Sequence, residues 1–136
     1  MILGFDPGRD KCGVALMDQN KQLHYHKIVK SSEVDTTITA LFQNYHIDLV
    51  VIGDQTTSNI WKQNLTQIIS STVPIINIDE RYSSLEARDR YWQIYPPQGF
   101  FRLIPQGMRI PPRPVDDIVA MILIERYLEN LVQISS

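Results

Sequence analysis

The distribution of apolar residues along the chain predicts five β-strands. Apolar and β-branched residues alternate with polar ones, or run together in short blocks, at about 1–6, 12–18, 22–29, 48–52 and 74–79. A short polar segment from Asp18 to Lys21 separates the second strand from the third. The first three strands are therefore expected to form an antiparallel meander, with a hairpin between the second and the third.

The remaining segments are expected to be helical. Their apolar faces are Val34, Ile38, Leu41, Phe42 and Tyr45, then Trp61, Leu65, Ile68 and Ile69, and in the last helix Ile118, Val119, Ile122, Leu123 and Leu128. Ser83 and Glu86 have the spacing of a capping box, which predicts the start of the third helix. The order β-β-β-α-β-α-β-α-α predicts an α/β fold, a mixed sheet in which the three-strand meander is joined by parallel strands, with helices on both faces.

A proline-rich stretch between Tyr95 and Pro114 interrupts this order. Its six prolines exclude a long helix, so we expect a loop over about 95–114. Functional and disordered segments are common among loops of this length. The chain has 136 residues, no internal repeat and no linker, and is expected to form a single domain over 1–136.

Composition bears on location and on redox chemistry. No apolar stretch approaches the roughly 20 residues of a membrane span, and the first residues lack a basic segment followed by a long apolar run. We therefore expect a cytoplasmic protein without a membrane partner. Cys12 is the one cysteine, so a disulfide framework and a cysteine zinc site are excluded, and Cys12 is expected in the core.

Charge is unevenly distributed along the chain. The formal net charge of −2 by itself disfavours a nucleic-acid partner. Between residues 81 and 113, however, six arginines stand against two acidic residues, a local charge of +4. The arginines are Arg81, Arg88, Arg90, Arg102, Arg109 and Arg113, and the aromatic residues among them are Tyr82, Tyr91, Trp92, Tyr95, Phe100 and Phe101. This mixture suits phosphate binding and base stacking, although the same residues could fill a core and solvate a helix.

Acidic residues stand at the ends of predicted elements. Asp6 ends the first strand, Asp79 and Glu80 end the fifth, and Asp116 and Asp117 open the last helix. Alternation along the fifth strand favours Glu80 over Asp79 on the side of Asp6. Converging carboxylates repel each other unless a cation neutralises them, and two magnesium ions roughly 4 Å apart would hold and activate a scissile phosphate. The pattern predicts metal-dependent phosphodiester hydrolysis; the alternative is that each acid pairs locally or complements a helix amino terminus.

Further residues near these acids are candidates for substrate binding. Gly8 and Gly13 would let the backbone bend beside a phosphate, and Lys11 and Arg81 would bind one, as would Arg109 and Arg113 in the basic segment. A tight Asp-Pro-Gly turn is the alternative for the glycines, and a structural role for the basic residues. His24 and His26 share one face of the third strand and could ligate a metal, but no third ligand can be placed with them, so we expect two histidines exposed on a solvated face.

Three motifs together resemble the YqgF/RuvX family, Holliday-junction resolvases with an RNase H-like fold that are related to RuvC. The motifs begin at Asp6-Pro-Gly8, Ile78-Asp79-Glu80 and Val115-Asp116-Asp117, and their order and separation match across nearly the whole chain. The resemblance implies that Asp6, Glu80 and Asp116 are catalytic, metal-binding acids and that Asp117 is a candidate fourth. It also implies two magnesium or manganese ions, and as substrates four-way DNA junctions or, in some bacteria, the precursor of 16S ribosomal RNA.

Two departures from the family pattern keep alternatives open. The family tends to carry a Gly-x-Pro turn and a further glycine after the fourth strand, where this chain has residues 53–58, and a lysine-rich run where this chain has residues 102–114. A module that binds nucleic acid or protein without cutting is therefore the main alternative. An actin-like phosphotransferase shares the turn after Asp6 but needs a second domain, which this length denies. A resolvase cuts two symmetric strands, so the nuclease interpretation predicts a homodimer.

Overall fold

A five-stranded mixed sheet organises the computed structural model, which describes residues 1–54 and 58–135, with side chains as far as residue 131. The strands are β1 (Ile2–Asp6), β2 (Lys11–Met17), β3 (Leu23–Lys30), β4 (Leu49–Gly53) and β5 (Ile75–Ile78). Their order across the sheet is β3-β2-β1-β4-β5. The pairs β1–β2 and β2–β3 are antiparallel, whereas β1–β4 and β4–β5 are parallel. The predicted meander, its hairpin and the mixed sheet are confirmed.

Helices cover both faces of this sheet, as the order of elements predicts. They are α1 (Val34–Asn44), α2 (Ser58–Ile68), α3 (Ser83–Ile94) and α4 (Asp116–Ser135). The apolar faces of α1 and α2 join one core cluster with Leu3, Phe5 and Ile52, and those of α3 and α4 join the other with Val51 and Ile78. Cys12 is fully buried in the first of these clusters, as expected. Within the described ranges, no helix has both the length and the apolar character needed to cross a bilayer.

The start of α3 differs from the predicted capping box. Tyr82 occupies the N-cap position with φ of 61°, in the left-handed region, and its side chain makes no capping hydrogen bond to the helix. Ser83 is buried as the first helical residue, and its amide donates a hydrogen bond to the Glu80 carbonyl oxygen over 2.9 Å. The capping box is therefore wrong because the chain turns sharply after Glu80, so that Ser83 already belongs to the helix.

Helix α4 lies unusually close to β1 and β2 because two strand residues lack a side chain. A β-carbon at Gly13 would overlap with the Asp116 carbonyl oxygen, and one at Gly4 would overlap with the Ala120 carbonyl oxygen. The expectation that Gly13 leaves room for a phosphate is wrong: Gly13 lies within β2, and the backbone of α4 fills that space. This close packing sets the position of the amino terminus of α4 relative to the sheet.

The proline-rich segment between α3 and α4 contains no strand and no α-helix, in agreement with the prediction. Short 3₁₀ turns at Gly99–Leu103 and Gln106–Met108 organise it. Arg109 Nε donates hydrogen bonds to the carbonyl oxygens of Phe101 and Ile104, over 3.0 and 2.8 Å. One arginine thus satisfies two loop carbonyls and holds the segment against itself.

Candidate active site

Carboxylates from three separate elements meet at one edge of the sheet. Asp6 is the last residue of β1, Glu80 follows β5, and Asp116 is the first residue of α4. Because β1, β4 and β5 are parallel, their carboxyl ends share this edge, where α/β folds commonly bind ligands. Asp6 is 6% exposed and Glu80 8%, and the nearest ionisable neighbours of Asp6 are the Glu80 and Asp116 carboxyls. Asp79 is exposed, as strand alternation favours.

The environment of Asp6 strongly disfavours its negative charge. Burial has the largest effect, and the neighbouring Glu80 and Asp116 carboxyls add to it, so that the pKa of Asp6 rises to about 9. Its Oδ1 is buried, and no donor group among the described residues forms a hydrogen bond to it. A buried carboxylate oxygen surrounded by other carboxyls favours either a proton or a cation at this point.

Asp116 has a milder form of the same environment. Burial raises its pKa and the Asp117 charge adds to this, while a hydrogen bond with Asp6 and the Lys11 ammonium act in the opposite direction. Lys11 is exposed at the first position of β2, close enough to affect this carboxyl. The predicted neighbourhood of Lys11 and the acidic cluster is therefore present.

The donor set of this cluster is chemically suited to a divalent cation. Carboxylate oxygens are preferred ligands of Mg²⁺ and Mn²⁺, and Asp6 Oδ1 has no competing donor in the described part of the chain. Among the described residues, however, no three His, Cys, Asp or Glu side chains are already arranged as a finished metal-binding group. The Asp6 carboxyl interacts directly with the Glu80 and Asp116 carboxyls, so the three groups share one site in which their negative charges repel each other.

Gly53, the last residue of β4, and Asp54, which follows it, determine the position of Glu80. A β-carbon at Gly53 would overlap with the Glu80 carboxyl group, so only glycine leaves room for that side chain. Asp54 Oδ1 accepts a hydrogen bond of 3.2 Å from the Glu80 amide. Asp54 was not among the candidates from the sequence, although it follows a buried strand by the same pattern that singled out Asp6 and Glu80.

Asp117 points to a different set of partners from the three acids. Its carboxylate accepts hydrogen bonds from Arg113 at 3.0 and 3.3 Å and lies 2.7 Å from Nδ1 of His26. Burial alone would raise the pKa of Asp117, but the bonds from Arg113 and His26 outweigh it and hold the pKa below its usual value. An ionised carboxylate only accepts hydrogen bonds, so the His26 ring carries a proton on Nδ1.

This contact corrects the expectation that both histidines are simply exposed. His26 bridges β3 to α4, next to Asp116, whereas His24 contacts Asp18 in the hairpin over 3.0 Å. The two are also not equivalent along β3, because the pairing passes from Tyr25 directly to Leu23 at an irregularity. No local pattern could have identified His26, since its partner lies 91 residues further along the chain.

Comparisons with known proteins identify the family of this chain and a solved structure with a similar fold. A family model described as RuvX, Holliday junction resolvase, matches residues 1–130. The chain belongs to the RuvX family. A solved structure of RuvC from Thermus thermophilus has a similar fold, with a TM-score of 0.52 and 13% sequence identity, over 97% of this chain and 94% of that one. A search of curated protein sequences returned no match.

The other residues proposed for substrate binding in this RuvX family member have varied surroundings. Lys11 and Arg81 are exposed, and Gly8 lies in a turn where a β-carbon would overlap with the Lys11 carbonyl oxygen. The Gly8 carbonyl oxygen accepts a hydrogen bond of 3.2 Å from Trp61 Nε1. The turn after β1 therefore requires glycine at position 8, because a side chain there would overlap with the Lys11 backbone. Contact of the substrate with Gly8, Lys11 and Arg81 stays a prediction.

Arginines and aromatic residues of the 81–113 segment divide between core and surface. Tyr91 and Trp92 are buried, which agrees with the alternative that these aromatic residues fill the core. Tyr82, Tyr95 and Phe100 are exposed. Arg90 forms a two-bond ion pair with Glu125 of α4, both contacts being 2.8 Å. Part of the positive charge is therefore used to join α3 to α4 rather than offered to a ligand.

Replacing Gly53 by alanine is expected to lower cleavage by about 100-fold, since a misplacement of about 1 Å at a reacting group costs that much. The new methyl group displaces the flexible end of Glu80, so the free energy of unfolding should change by less than about 1 kcal/mol. Turnover and urea denaturation would be measured together. Gly107→Ala is the control, because its β-carbon meets nothing within 4 Å. Full activity of Gly53→Ala would contradict a role for the Glu80 position.

Replacing Asp117 by asparagine is expected to destabilise the protein by about 2 kcal/mol, because charge-assisted hydrogen bonds from Arg113 and His26 are weakened. Cleavage by the folded variant should fall about tenfold, because a weakened Asp117 positions Asp116 less well, whereas loss of a metal-binding acid would cost several kcal/mol of barrier. Urea denaturation and single-turnover cleavage separate the two roles. Asp89→Asn, at an exposed position of α3, is the control and should leave both quantities unchanged.

Proposed function

We propose that this protein is a divalent-metal-dependent endonuclease that hydrolyses phosphodiester bonds of branched DNA. The observation that carries the proposal is the meeting of Asp6, Glu80 and Asp116 at one sheet edge, where Asp6 is buried with its pKa raised to about 9. Burying mutually repelling carboxyls destabilises a fold, which favours a functional reason for their presence. Buried acids with strongly shifted pKa values are common at catalytic centres. Membership of the RuvX family supports the same class of reaction.

Each residue of the cluster has a distinct task in this proposal. Asp6, Glu80 and Asp116 would hold Mg²⁺ or Mn²⁺, which when bound supplies an activated water and stabilises the leaving oxygen. Gly53 and Asp54 keep the Glu80 carboxyl turned toward Asp6. Lys11, already close to Asp116, is placed to offset negative charge on a phosphate that approaches the acids.

The start of α4 is held in place by contacts outside the acidic cluster. Asp117 binds His26 of β3 and Arg113 of the preceding loop, so the residue next to Asp116 is fixed from two sides. Precise placement of reacting groups contributes a large share of enzymatic rate enhancement. We therefore assign Asp117, His26 and Arg113 a positioning role, with Asp116 as the residue that they position.

The substrate preference follows from the family and from the local charge. The family description names Holliday junctions, so four-way DNA is the first substrate to test. The resemblance of the sequence motifs adds structured precursor 16S ribosomal RNA as the second. Of the six arginines between residues 81 and 113, Arg81, Arg88 and Arg102 are exposed, so their charges are accessible to the phosphates of a nucleic acid. Symmetric cleavage of two strands would call for a homodimer, which also stays a prediction.

The proposal is tested by incubating the purified protein with labelled four-way junctions, linear duplex of the same sequence and precursor RNA. Each reaction contains magnesium, manganese or EDTA, and Asp6→Asn is run beside the natural chain. We expect cleavage of the branched DNA that needs the metal and is lost in the variant. Binding of these substrates without cleavage under every metal condition would contradict the nuclease and favour the non-cutting module.

A further inference from the structure

An aromatic pocket lies at the end of α3, and neither the family description nor the proposed mechanism accounts for it. The end of α3 and the loop after it form the pocket, which has a volume of about 510 Å³. We define the aromatic pocket by Tyr91, Trp92, Tyr95, Phe101, Pro96 and Pro112, which line it. Pockets of this volume are in the range that takes small organic ligands or single nucleotides. Among the described residues, those that line it include no acidic side chain.

The rings of the aromatic pocket leave one side open to solvent. Tyr91 lies 5.0 Å from both Trp92 and Tyr95 between ring centroids, and Trp92 lies 5.1 Å from Phe101. Tyr91 and Trp92 are buried, while Tyr95 is 41% exposed. A buried pair of rings with a half-exposed ring beside it forms a base on which a flat aromatic ligand can stack.

Two guanidinium groups stand over the same rings. Arg113 lies 5.3 Å from the Tyr91 centroid and 5.5 Å from that of Tyr95, and Arg109 lies 5.9 Å from the Trp92 centroid. Arg113 is neutralised in part by Asp117, whereas the contacts of Arg109 within the described ranges are to carbonyl oxygens and an aromatic ring. The charge of Arg109 is therefore available to an anion, which gives the pocket an aromatic floor with a cationic rim.

Trp92 adds a separate sign that the aromatic pocket is incomplete. Trp92 is only 7% exposed, and its indole Nε1–H is buried without a hydrogen-bond acceptor among the described residues. Buried indole N–H groups usually have a partner, and leaving one without a partner is unfavourable. Trp92 lines the pocket, and Phe101 packs against its ring from the 3₁₀ turn Gly99–Leu103.

We infer that the aromatic pocket binds one unstacked nucleobase of the branched substrate, with an adjoining phosphate at Arg109. Stacking on Tyr95, a hydrogen bond from Trp92 Nε1 to a base nitrogen or oxygen, and the guanidinium rim each match one part of a nucleotide. Arg113 stands over the Tyr91 and Tyr95 rings and also donates a hydrogen bond to Asp117, so one side chain links the pocket to the first turn of α4, where Asp116 lies. This inference rests on the proposed function: a branch point offers unstacked bases, whereas a continuous duplex does not.

Photocrosslinking tests which residues contact the branch-point base. The probe is a four-way junction with 5-iododeoxyuridine at the branch point, irradiated with the natural chain in EDTA so that cleavage does not interfere. Trypsin cuts after Arg90 and Arg102, which releases the pocket aromatics in one peptide, Tyr91–Arg102. We expect crosslinks at Tyr91, Trp92, Tyr95 or Phe101 from the branch-point probe, and none there when the same base lies within a duplex arm.

Affinity measurements on matched variants give a second readout. Tyr95→Leu and Arg109→Gln should each weaken binding of the four-way junction about tenfold, and binding of duplex less than twofold. Tyr95→Phe, which keeps the ring, and Arg88→Gln, at an exposed position of α3, should bind the junction as the natural chain does. Thermal unfolding of each variant checks that it is folded.

The outcomes separate this inference from the proposed function. Junction binding with crosslinks only outside the aromatic pocket, or equal affinity of Tyr95→Leu and the natural chain, would overturn the pocket inference and leave the nuclease standing. Crosslinks in the pocket without metal-dependent cleavage would uphold the inference and overturn the nuclease. Absence of binding to any branched nucleic acid would overturn both.

Discussion

Replacing Asp6 by asparagine is expected to lower metal-dependent cleavage by at least about 10³-fold, because metal-ion catalysis supplies several kcal/mol and each 1.4 kcal/mol is a factor of ten. Asparagine has nearly the same shape but no negative charge, so it removes a cation ligand without opening a cavity. Asp79→Asn is the matched control: Asp79 is exposed, and its Oδ1, which accepts a bond of 2.9 Å from the Arg81 amide, is kept.

The same substitution is expected to stabilise the metal-free protein, by about 1–2 kcal/mol at neutral pH, which is typical of a favourable single change. The folded-state pKa of Asp6, about 9, lies above its usual 3.8. Between about pH 4 and pH 9 the folded protein keeps the Asp6 proton that the unfolded chain releases, so the free energy of unfolding falls as the pH rises through this range. Below about pH 4 Asp6 is protonated in both states and the protein has the full stability that this group allows. The natural chain should become less stable over that range in EDTA, and Asp6→Asn should show a weaker dependence.

Thermal unfolding at pH 5 and pH 8, with EDTA or with magnesium, measures both effects. Magnesium should stabilise the natural chain at pH 8 and leave Asp6→Asn nearly unchanged, because a ligand that binds only the folded state raises its stability. A lower unfolding temperature for Asp6→Asn in EDTA would show that the Asp6 carboxyl stabilises the fold. That result would contradict the repulsion on which the proposed metal site depends.

Replacing Gly13 by alanine is expected to have the second largest effect, a loss of about 3 kcal/mol of stability together with about 100-fold slower cleavage. The added methyl group overlaps with the Asp116 carbonyl oxygen, and both sides of this contact are backbone. Neither can turn aside as a side chain would, so β2 and the start of α4 must separate. That separation moves Asp116 away from Asp6.

Urea denaturation and cleavage by the folded fraction measure the two parts of this result. Gly4→Ala is an informative companion, because its methyl group meets the Ala120 carbonyl oxygen one turn further along α4. It should cost similar stability and reduce cleavage less, since the clash lies farther from Asp116. Gly107→Ala, at an open position, should be neutral. If Gly13→Ala proved as stable as the natural chain, the close packing of α4 would not determine the position of the site.

Much of the fold was predictable because it depends on neighbours in the chain. Apolar and β-branched residues over 12–18 and 22–29 predicted two strands, and the three polar residues between these ranges predicted the hairpin that joins them. Strand alternation likewise separated Glu80 from Asp79 before any tertiary contact was known, and Glu80 is the buried one. The capping box at Ser83 failed because it ignored the sharp turn that follows Glu80.

The sequence by itself therefore determined the elements, their order, the mixed sheet and the acids that stand at its edge. Only the tertiary structure decided which groups complete the site. Asp117 contacts His26, which is 91 residues away in the chain, and the backbone of α4 packs directly against Gly13. Asp54 accepts a hydrogen bond from the Glu80 amide. None of these contacts produces a periodic pattern in the sequence. Local periodicity reports which side of an element is buried, whereas contacts between distant segments depend on how closely those elements pack.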